Sequence, residues 1–352
     1  MPHNHGPAFL LPLATDHWPP ITGHCPSALA IDKWLPFQLV VFREGHYNGA
    51  PRAATDDRAP GRRGQLFRLA AFTDEISQDF DQALSVCKEY DLEAVEIRSV
   101  WGKRVQMLNN PEDVARMRKA LDRAGLKVCC IASPFFKCDL GNKEHYQEHI
   151  TILGSCIELG RALGTNLVRG FTFWEKGKAE QVWGQILDSF VEPKKIIEDE
   201  GITLAIENEP SVYGATAKLV EKFIKDADSP NIKAVWDPGN EIHARGETPF
   251  PDAYRRLRPL MVHMHMKDAV WNKAEGKAEG VCMGDGDVDY PGQFRALIED
   301  GYQGYVSLET HWRTQALSEA QLRQPGGHEL SSDAERASRL CLERVKKMLE
   351  TI

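Results

Sequence analysis

The stretch LMVHMHMKDAV, residues 260–270, alternates apolar and imidazole side chains through Val262, His263, Met264, His265 and Met266, then closes on Lys267-Asp268. Successive side chains of an extended chain point to opposite faces, so His263 and His265 share one face of a strand. A histidine pair on the inner face of a buried strand has either a structural reason or a metal. The rest of the chain decides between them.

Working outward, this strand is one of eight of its kind. From Leu69 onward, short apolar runs alternate with amphipathic stretches. The strand candidates are LAAFT (69–73), EAVEIR (93–98), KVCCIA (127–132), NLVRGF (166–171), ITLAIE (202–207), KAVWD (233–237), MVHMHMK (261–267) and YVSLE (305–309). Between them lie helical patterns. DFDQALSVCKEY carries Phe80, Ala83, Leu84 and Cys87 on one stripe, and PEDVARMRKALDRAG opens on Pro and acids and ends at Gly125. HYQEHITILGSCIELGRALG, GATAKLVEKFIKDA and the C-terminal SSDAERASRLCLERVKKMLE read the same way. Strand–helix alternation gives a parallel sheet, and eight units with no second set of elements predict an α/β fold, the closed (β/α)8 TIM barrel. An open doubly wound sheet is the runner-up. It would carry a glycine-rich turn after the first strand, where AAFTDEIS has none.

Residues 1–65 differ. They are rich in Pro, Gly and Ala without sustained periodicity, and hold five of the twelve histidines, His3, His5, His17, His24 and His46, at no regular spacing. The expected organisation is an irregular extension over 1–65, disorder included, and a barrel domain over 66–352. The net charge of −8 excludes a generally basic nucleic-acid or membrane-surface binder, and no apolar run is long enough to span a bilayer. Eight cysteines are scattered with no CxxC pair, as expected of reduced core thiols in a cytoplasmic protein.

In such a barrel the chemistry sits at the carboxyl ends of the strands. Strand five ends in Glu207, strand six in Asp237, strand seven carries His265, and strand eight ends in Glu309. The steps between them are 30, 28 and 44 residues, the first two close to one βα unit of ~30 residues. Each residue therefore returns to the same rim. Any one alone has an ordinary explanation: a solvated carboxylate, a cap before Pro238-Gly239, a buried histidine bonded to backbone. Together, three acids in one dry pocket require a compensating cation. Oxygen-rich ligation with one imidazole points to one divalent ion, Mn²⁺ or Mg²⁺, with Co²⁺ or Zn²⁺ as substitutes.

The motifs LAIENEP, WDPGN, HMHMKD, MGDGDVDY and GYVSLETHW resemble, as a set, those of the xylose isomerase-like barrels, grouped with sugar phosphate isomerases and epimerases and with endonuclease IV. In the keto-sugar 3-epimerases of this family the metal ligands correspond to Glu207, Asp237, His265 and Glu309, the second histidine of the motif being the ligand. The resemblance implies proton transfer next to a carbonyl through a metal-stabilised enediolate, with Glu207 and Glu309 as the catalytic pair. The implied activity is a sugar or cyclitol isomerase or epimerase. The alternative is a dehydratase or lyase acting on an inosose-like or 3-keto-glycoside substrate. His263 then sits beside the metal or faces substrate. Other substrate-binding candidates are Lys267, Glu96, Arg98, Arg169, Asn240 and Trp271. Asn240, Trp271 and Tyr213 stand where the epimerases place a histidine, an arginine and a glutamate, which separates this chain from the ketohexose epimerases in the narrow sense.

Asp285, Asp287 and Asp289 in the loop after strand seven disfavour a phosphate there, so the expected substrate is an unphosphorylated sugar or polyol, with no nucleic-acid or membrane partner and a homo-oligomer left open. A repair endonuclease needs more histidines and a basic face than this chain offers. A sugar-binding barrel without catalysis has no use for both Glu207 and Glu309.

Overall fold

A computed structural model of the chain describes residues 67–314 and 331–352. The expectation of an irregular 1–65 extension lies outside the described residues, as does Cys25. Eight parallel strands close into a barrel: β1 (Arg68–Phe72), β2 (Ala94–Ile97), β3 (Lys127–Phe135), β4 (Leu167–Gly170), β5 (Thr203–Glu207), β6 (Ile232–Trp236), β7 (Met261–Met266) and β8 (Tyr305–Leu308). Each pairs with its sequence neighbours, and β8 closes on β1. These are the eight runs expected from the sequence, with ends shifted by a residue or so, or by three where β3 runs on to Phe135.

Alternation along the strands sorts the side chains into two sets. One set faces the helices and joins the main apolar core, including Leu69, Val95, Ile97, Val128, Val168, Leu204 and Val306. A smaller separate cluster of Ala70, Ala94, Cys129 and Cys130, with Leu167 and Tyr305 against it, holds small side chains. The expected helices form as α1 (Phe80–Glu89), α2 (Pro111–Ala124), α3 (Lys143–Leu163), α6 (Ala217–Ala227) and α10 (Ser331–Glu350). Side-chain caps start them: Asp79 accepts from the Gln82 amide, Asn110 from that of Asp113, and Thr216 from that of Leu219. Gly125 and Gly164 end α2 and α3 at φ 69° and 82°, a left-handed conformation that needs glycine.

The chain also forms α4 (Ala179–Ser189), α5 (Val191–Asp199), α7 (Pro238–His243), α8 (Tyr254–Leu257) and α9 (Tyr290–Glu299). The segment after β7 departs from a plain strand–helix unit. It makes an antiparallel ribbon, Asp268–Asn272 with Lys277–Val281, before reaching α9. The three acids of the following loop are engaged locally. Asp285 pairs with Arg344, Asp287 accepts from the Trp271 amide at 2.8 Å, and Asp289 caps α9 through the Gly292 amide at 2.9 Å. The seven described cysteines are buried and unbridged. Among the described residues no helix is long and apolar enough to cross a membrane.

Under α4–α6 the core is aromatic. Phe136 stacks on Phe135 and Phe173 at centroid distances of 4.0 and 4.2 Å, and Phe190 meets Phe136 and Phe223 edge-on at 4.9 and 4.6 Å. Truncating Phe190, which is fully buried, leaves a cavity inside a stack that backbone shifts cannot close. Phe190→Ala is expected to lower unfolding free energy by about 3–5 kcal/mol in chemical denaturation. Its effect on metal affinity should be small, because the stack lies outside the barrel wall.

Candidate metal centre

The carboxyl ends of β5–β8 bring four side chains to one point. Glu207 is the last residue of β5, Asp237 follows β6, His265 lies on β7 and Glu309 follows β8. One donor atom from each lies within 4.8 Å of all the others, and each residue is at most 2% exposed. The strand register sets this: His265 pairs with Ser307 of β8, and Glu207 pairs with Val235 of β6.

The three carboxylates share a pattern. Each is anchored through one oxygen and presents the other. Asp237 Oδ1 caps α7 by accepting from the Asn240 amide at 2.8 Å, while its buried Oδ2 faces the Lys267 ammonium at 3.0 Å. Glu309 Oε1 accepts from Arg98 Nη1 at 2.9 Å, and its buried Oε2 lies 2.8 Å from the same ammonium. Glu207 Oε2 accepts from Arg169 Nη1 at 3.0 Å, leaving Oε1 3.2 Å from His265 Nδ1 and 3.0 Å from Asn240 Nδ2. His265 turns Nδ1 towards all three, at 3.2 Å from Glu207, 3.8 Å from Asp237 and 3.7 Å from Glu309. Its Nε2 faces the other way, 3.4 Å from Glu96 Oε1. With an ion at Nδ1, Nε2 would keep the proton and donate it to Glu96.

This donor set fits a hard or intermediate divalent ion: three buried carboxylates, each with one oxygen turned inward, beside an imidazole nitrogen that faces them. The site already attracts a cation, since the Lys267 ammonium lies 3.0 Å from Asp237 Oδ2 and 2.8 Å from Glu309 Oε2. Burial alone would raise the pKa of every acid here. Around Glu207, Arg169 and His265 outweigh it and hold the carboxyl below its usual range. Around Asp237, Lys267 does so, and around Glu309, Lys267, His311, His265 and Arg98 together. Burial would lower His265, but Glu96 and Glu207 hold it well above the ordinary histidine value.

The remaining residues singled out from sequence fall into three places. Arg98 and Arg169 are ion-paired at the rim, Arg98 with Asp74, Glu75 and Glu309, Arg169 with Glu207. Asn240 is buried inside the cluster, bonded to Glu207, Asn208 and Lys267. Trp271 lies on the ribbon with the Arg245 guanidinium 4.6 Å over its ring. Glu96 and His263 do not face the mouth. Glu96 is fully buried inside the barrel, and its Oε2 meets His263 Nε2 at 2.8 Å. Its inward position on β2 suits it to orienting histidines rather than touching substrate.

Sequence reasoning missed Asp74, Glu75, Arg313 and Asn208. Glu75 accepts from Arg98 at 2.6 Å and Arg313 at 2.9 Å, and Asn208 holds Asp237 through both backbone groups at 2.8 and 2.9 Å. The signal for the acids was present: Asp74-Glu75 follow strand one just as Glu309 follows strand eight.

A family model described as xylose isomerase-like TIM barrel matches residues 84–336. An uncharacterised protein of Methanocaldococcus jannaschii is 28% identical over 57% of this chain and 70% of its own length. Inosose dehydratase of Clostridium botulinum is 21% identical over 65% of this chain and 81% of its own. Among solved structures, a xylose isomerase domain protein from Planctomyces limnophilus has a TM-score of 0.63 at 17% identity, covering 82% of this chain and 99% of that one. The IOLI protein with a bound zinc atom gives 0.61 at 17%, covering 81% and 99%. The 3-keto-D-glucoside 4-epimerase YcjR from E. coli gives 0.56 at 16%, covering 73% and 96%.

Calorimetric titration of EDTA-treated protein with Mn²⁺ should show one site, with affinity falling as pH falls because the raised His265 must shed its proton to bind. Glu96→Gln should weaken that site about 10- to 100-fold, as loss of a ligand-orienting carboxylate does. Unchanged affinity in Glu96→Gln would contradict the orienting role.

Proposed function

Because the chain belongs to the xylose isomerase-like TIM barrel family, we propose that residues 66–352 form a divalent-metal-dependent isomerase or epimerase that moves a proton next to the carbonyl of a sugar or cyclitol. One observation carries this reading. Two glutamates from β5 and β8 flank His265, and each is tied by one oxygen to its own arginine while the other faces the shared centre. Glu207, Asp237, His265 and Glu309 would hold the ion, which when bound supplies the Lewis acidity that polarises the carbonyl and acidifies the neighbouring C–H.

Glu207 and Glu309 carry the proton in this proposal. One removes it from the α-carbon and the other returns it, to the opposite face for epimerisation or to the adjacent carbon for isomerisation. Arg169 beside Glu207, and Lys267 with Arg98 beside Glu309, keep both carboxylates ionised, so both can accept a proton at neutral pH. The same pairing makes them weak bases, which is why the substrate must be acidified first. Lys267, held between Asp237 and Glu309, offers an ammonium to a substrate oxygen, and Trp271 offers an aromatic face for a sugar ring at the mouth. Buried, unbridged cysteines favour a reducing cytoplasm as its compartment.

A second reading is dehydration of an inosose-like or 3-keto-glycoside substrate. The same α-proton leaves, and a β-hydroxyl departs with a proton from Lys267 instead of the carbon being reprotonated. It is favoured by the dehydratases among the relatives and by Asn240, Trp271 and Tyr213, which lack the side chains the ketohexose epimerases use.

The test is proton exchange from D₂O into a panel of keto-sugars and inososes with the Mn²⁺-loaded enzyme, followed by NMR. Deuterium at an α-carbon with the carbon skeleton intact supports the isomerase. Loss of a hydroxyl or an aglycone supports the lyase. Glu207→Gln and Glu309→Gln should each reduce turnover by at least about 10²-fold. Full activity in either variant would remove that residue from the chemistry.

A further inference from the structure

The barrel has a second mouth, at the amino ends of the strands, opposite the metal cluster. A cavity of about 680 Å³ opens there, ringed by Arg68, Arg118, Lys127 and Arg161 with a single acid, Asp122. In a chain of net charge −8 this is a local excess of positive charge. Arg161 already pairs with Glu200. Arg68 is pre-set rather than neutralised: its guanidinium lies 3.9 Å over the Tyr305 ring and donates to Tyr305 Oη at 3.0 Å and Gln303 O at 3.2 Å. Arg118 and Lys127 have no ion-pair partner among the described residues.

The cavity lining also includes His263, 1% exposed. Its Nε2 meets Glu96 Oε2 at 2.8 Å, and its Nδ1 is buried without a hydrogen bond. Cys129 lines the same cavity. The amino-end face of such a barrel usually serves stability. Clustered like charges and an unpartnered buried nitrogen both work against stability, so this end of the barrel is built for something that neutralises the one and bonds the other.

We propose that this mouth binds a small anion that also carries hydroxyls, a phosphorylated or carboxylated sugar or polyol. The charged group sits on Arg68, Arg118 and Lys127, and a hydroxyl, which can donate or accept, bonds His263 Nδ1. The site is distinct from the catalytic mouth but shares a neighbour with it. Glu96 bonds His263 through one oxygen and His265 through the other.

Calorimetry of the full-length protein at low ionic strength tests this with D-glucose 6-phosphate, D-gluconate, inorganic phosphate and D-glucose. The expected result is saturable binding of the sugar phosphate or the gluconate, tighter than phosphate or glucose. The phosphate and carboxylate arms distinguish the two anion types. The exposed double change Arg118→Ala with Lys127→Ala should weaken binding about tenfold or more, as loss of two charged contacts does. Asp237→Asn, at the opposite mouth, should leave it unchanged. The proposal is overturned if no probe saturates up to about 10 mM, if inorganic phosphate binds as tightly as the sugar phosphate, if the double variant binds normally, or if Asp237→Asn abolishes binding.

Discussion

Three carboxylates buried within a few ångströms repel one another strongly in a low-dielectric interior, and much of the upper barrel answers that repulsion. Glu207, Asp237 and Glu309 are brought together by strand register, not by attraction. They stay ionised because Arg169, Arg98, Lys267 and the raised His265 surround them. The cluster is therefore a focused negative potential with a cation's place at its centre.

The neighbouring groups decide which atoms face that centre. Arg98, Arg169 and the α7 amide each take one carboxylate oxygen and so fix the direction of the other. Glu96 does the same for His265, by engaging Nε2 and aiming Nδ1 upward. Farther out, Asp74 and Glu75 hold Arg98 in turn, and Arg313 holds Glu75. The Asp268 carboxylate collects the Gly284 and Gly286 amides and ties the loop beyond the ribbon to the end of β7. A 1 Å error in any of these supports would reach the cluster, whose fit to a metal ion lies in position rather than in unusual donors.

Much of this was legible in the sequence. Apolar runs recurring with helical stretches between them specify eight strands, because a parallel strand must be apolar on both faces while its crossover helix is apolar on one. The strand-end residues follow from the same count, so Glu207, Asp237, His265 and Glu309 could be grouped before any coordinates. The ribbon at 268–281 could not, since its short, lysine- and glutamate-rich strands look like a loop until they pair. Nor could the orientation of Glu96. Its distance from the mouth depends on how far along β2 it lies relative to β7, and a bulge between Val95 and Glu96 in the β2–β3 register sets that locally. Arg98 and Arg169 were visible as rim charges, but only the fold reveals that each is committed to a glutamate.

The proposed chemistry requires these four side chains to grip one ion together. A crystal structure of Mn²⁺-soaked protein, with anomalous difference data collected near the manganese edge, addresses that directly. The expected result is one strong peak bonded to Glu207, Asp237, Glu309 and His265 Nδ1 at about 2.0–2.3 Å. An empty cluster with Lys267 still between Asp237 and Glu309 at saturating Mn²⁺, or a peak elsewhere in the barrel, would contradict it.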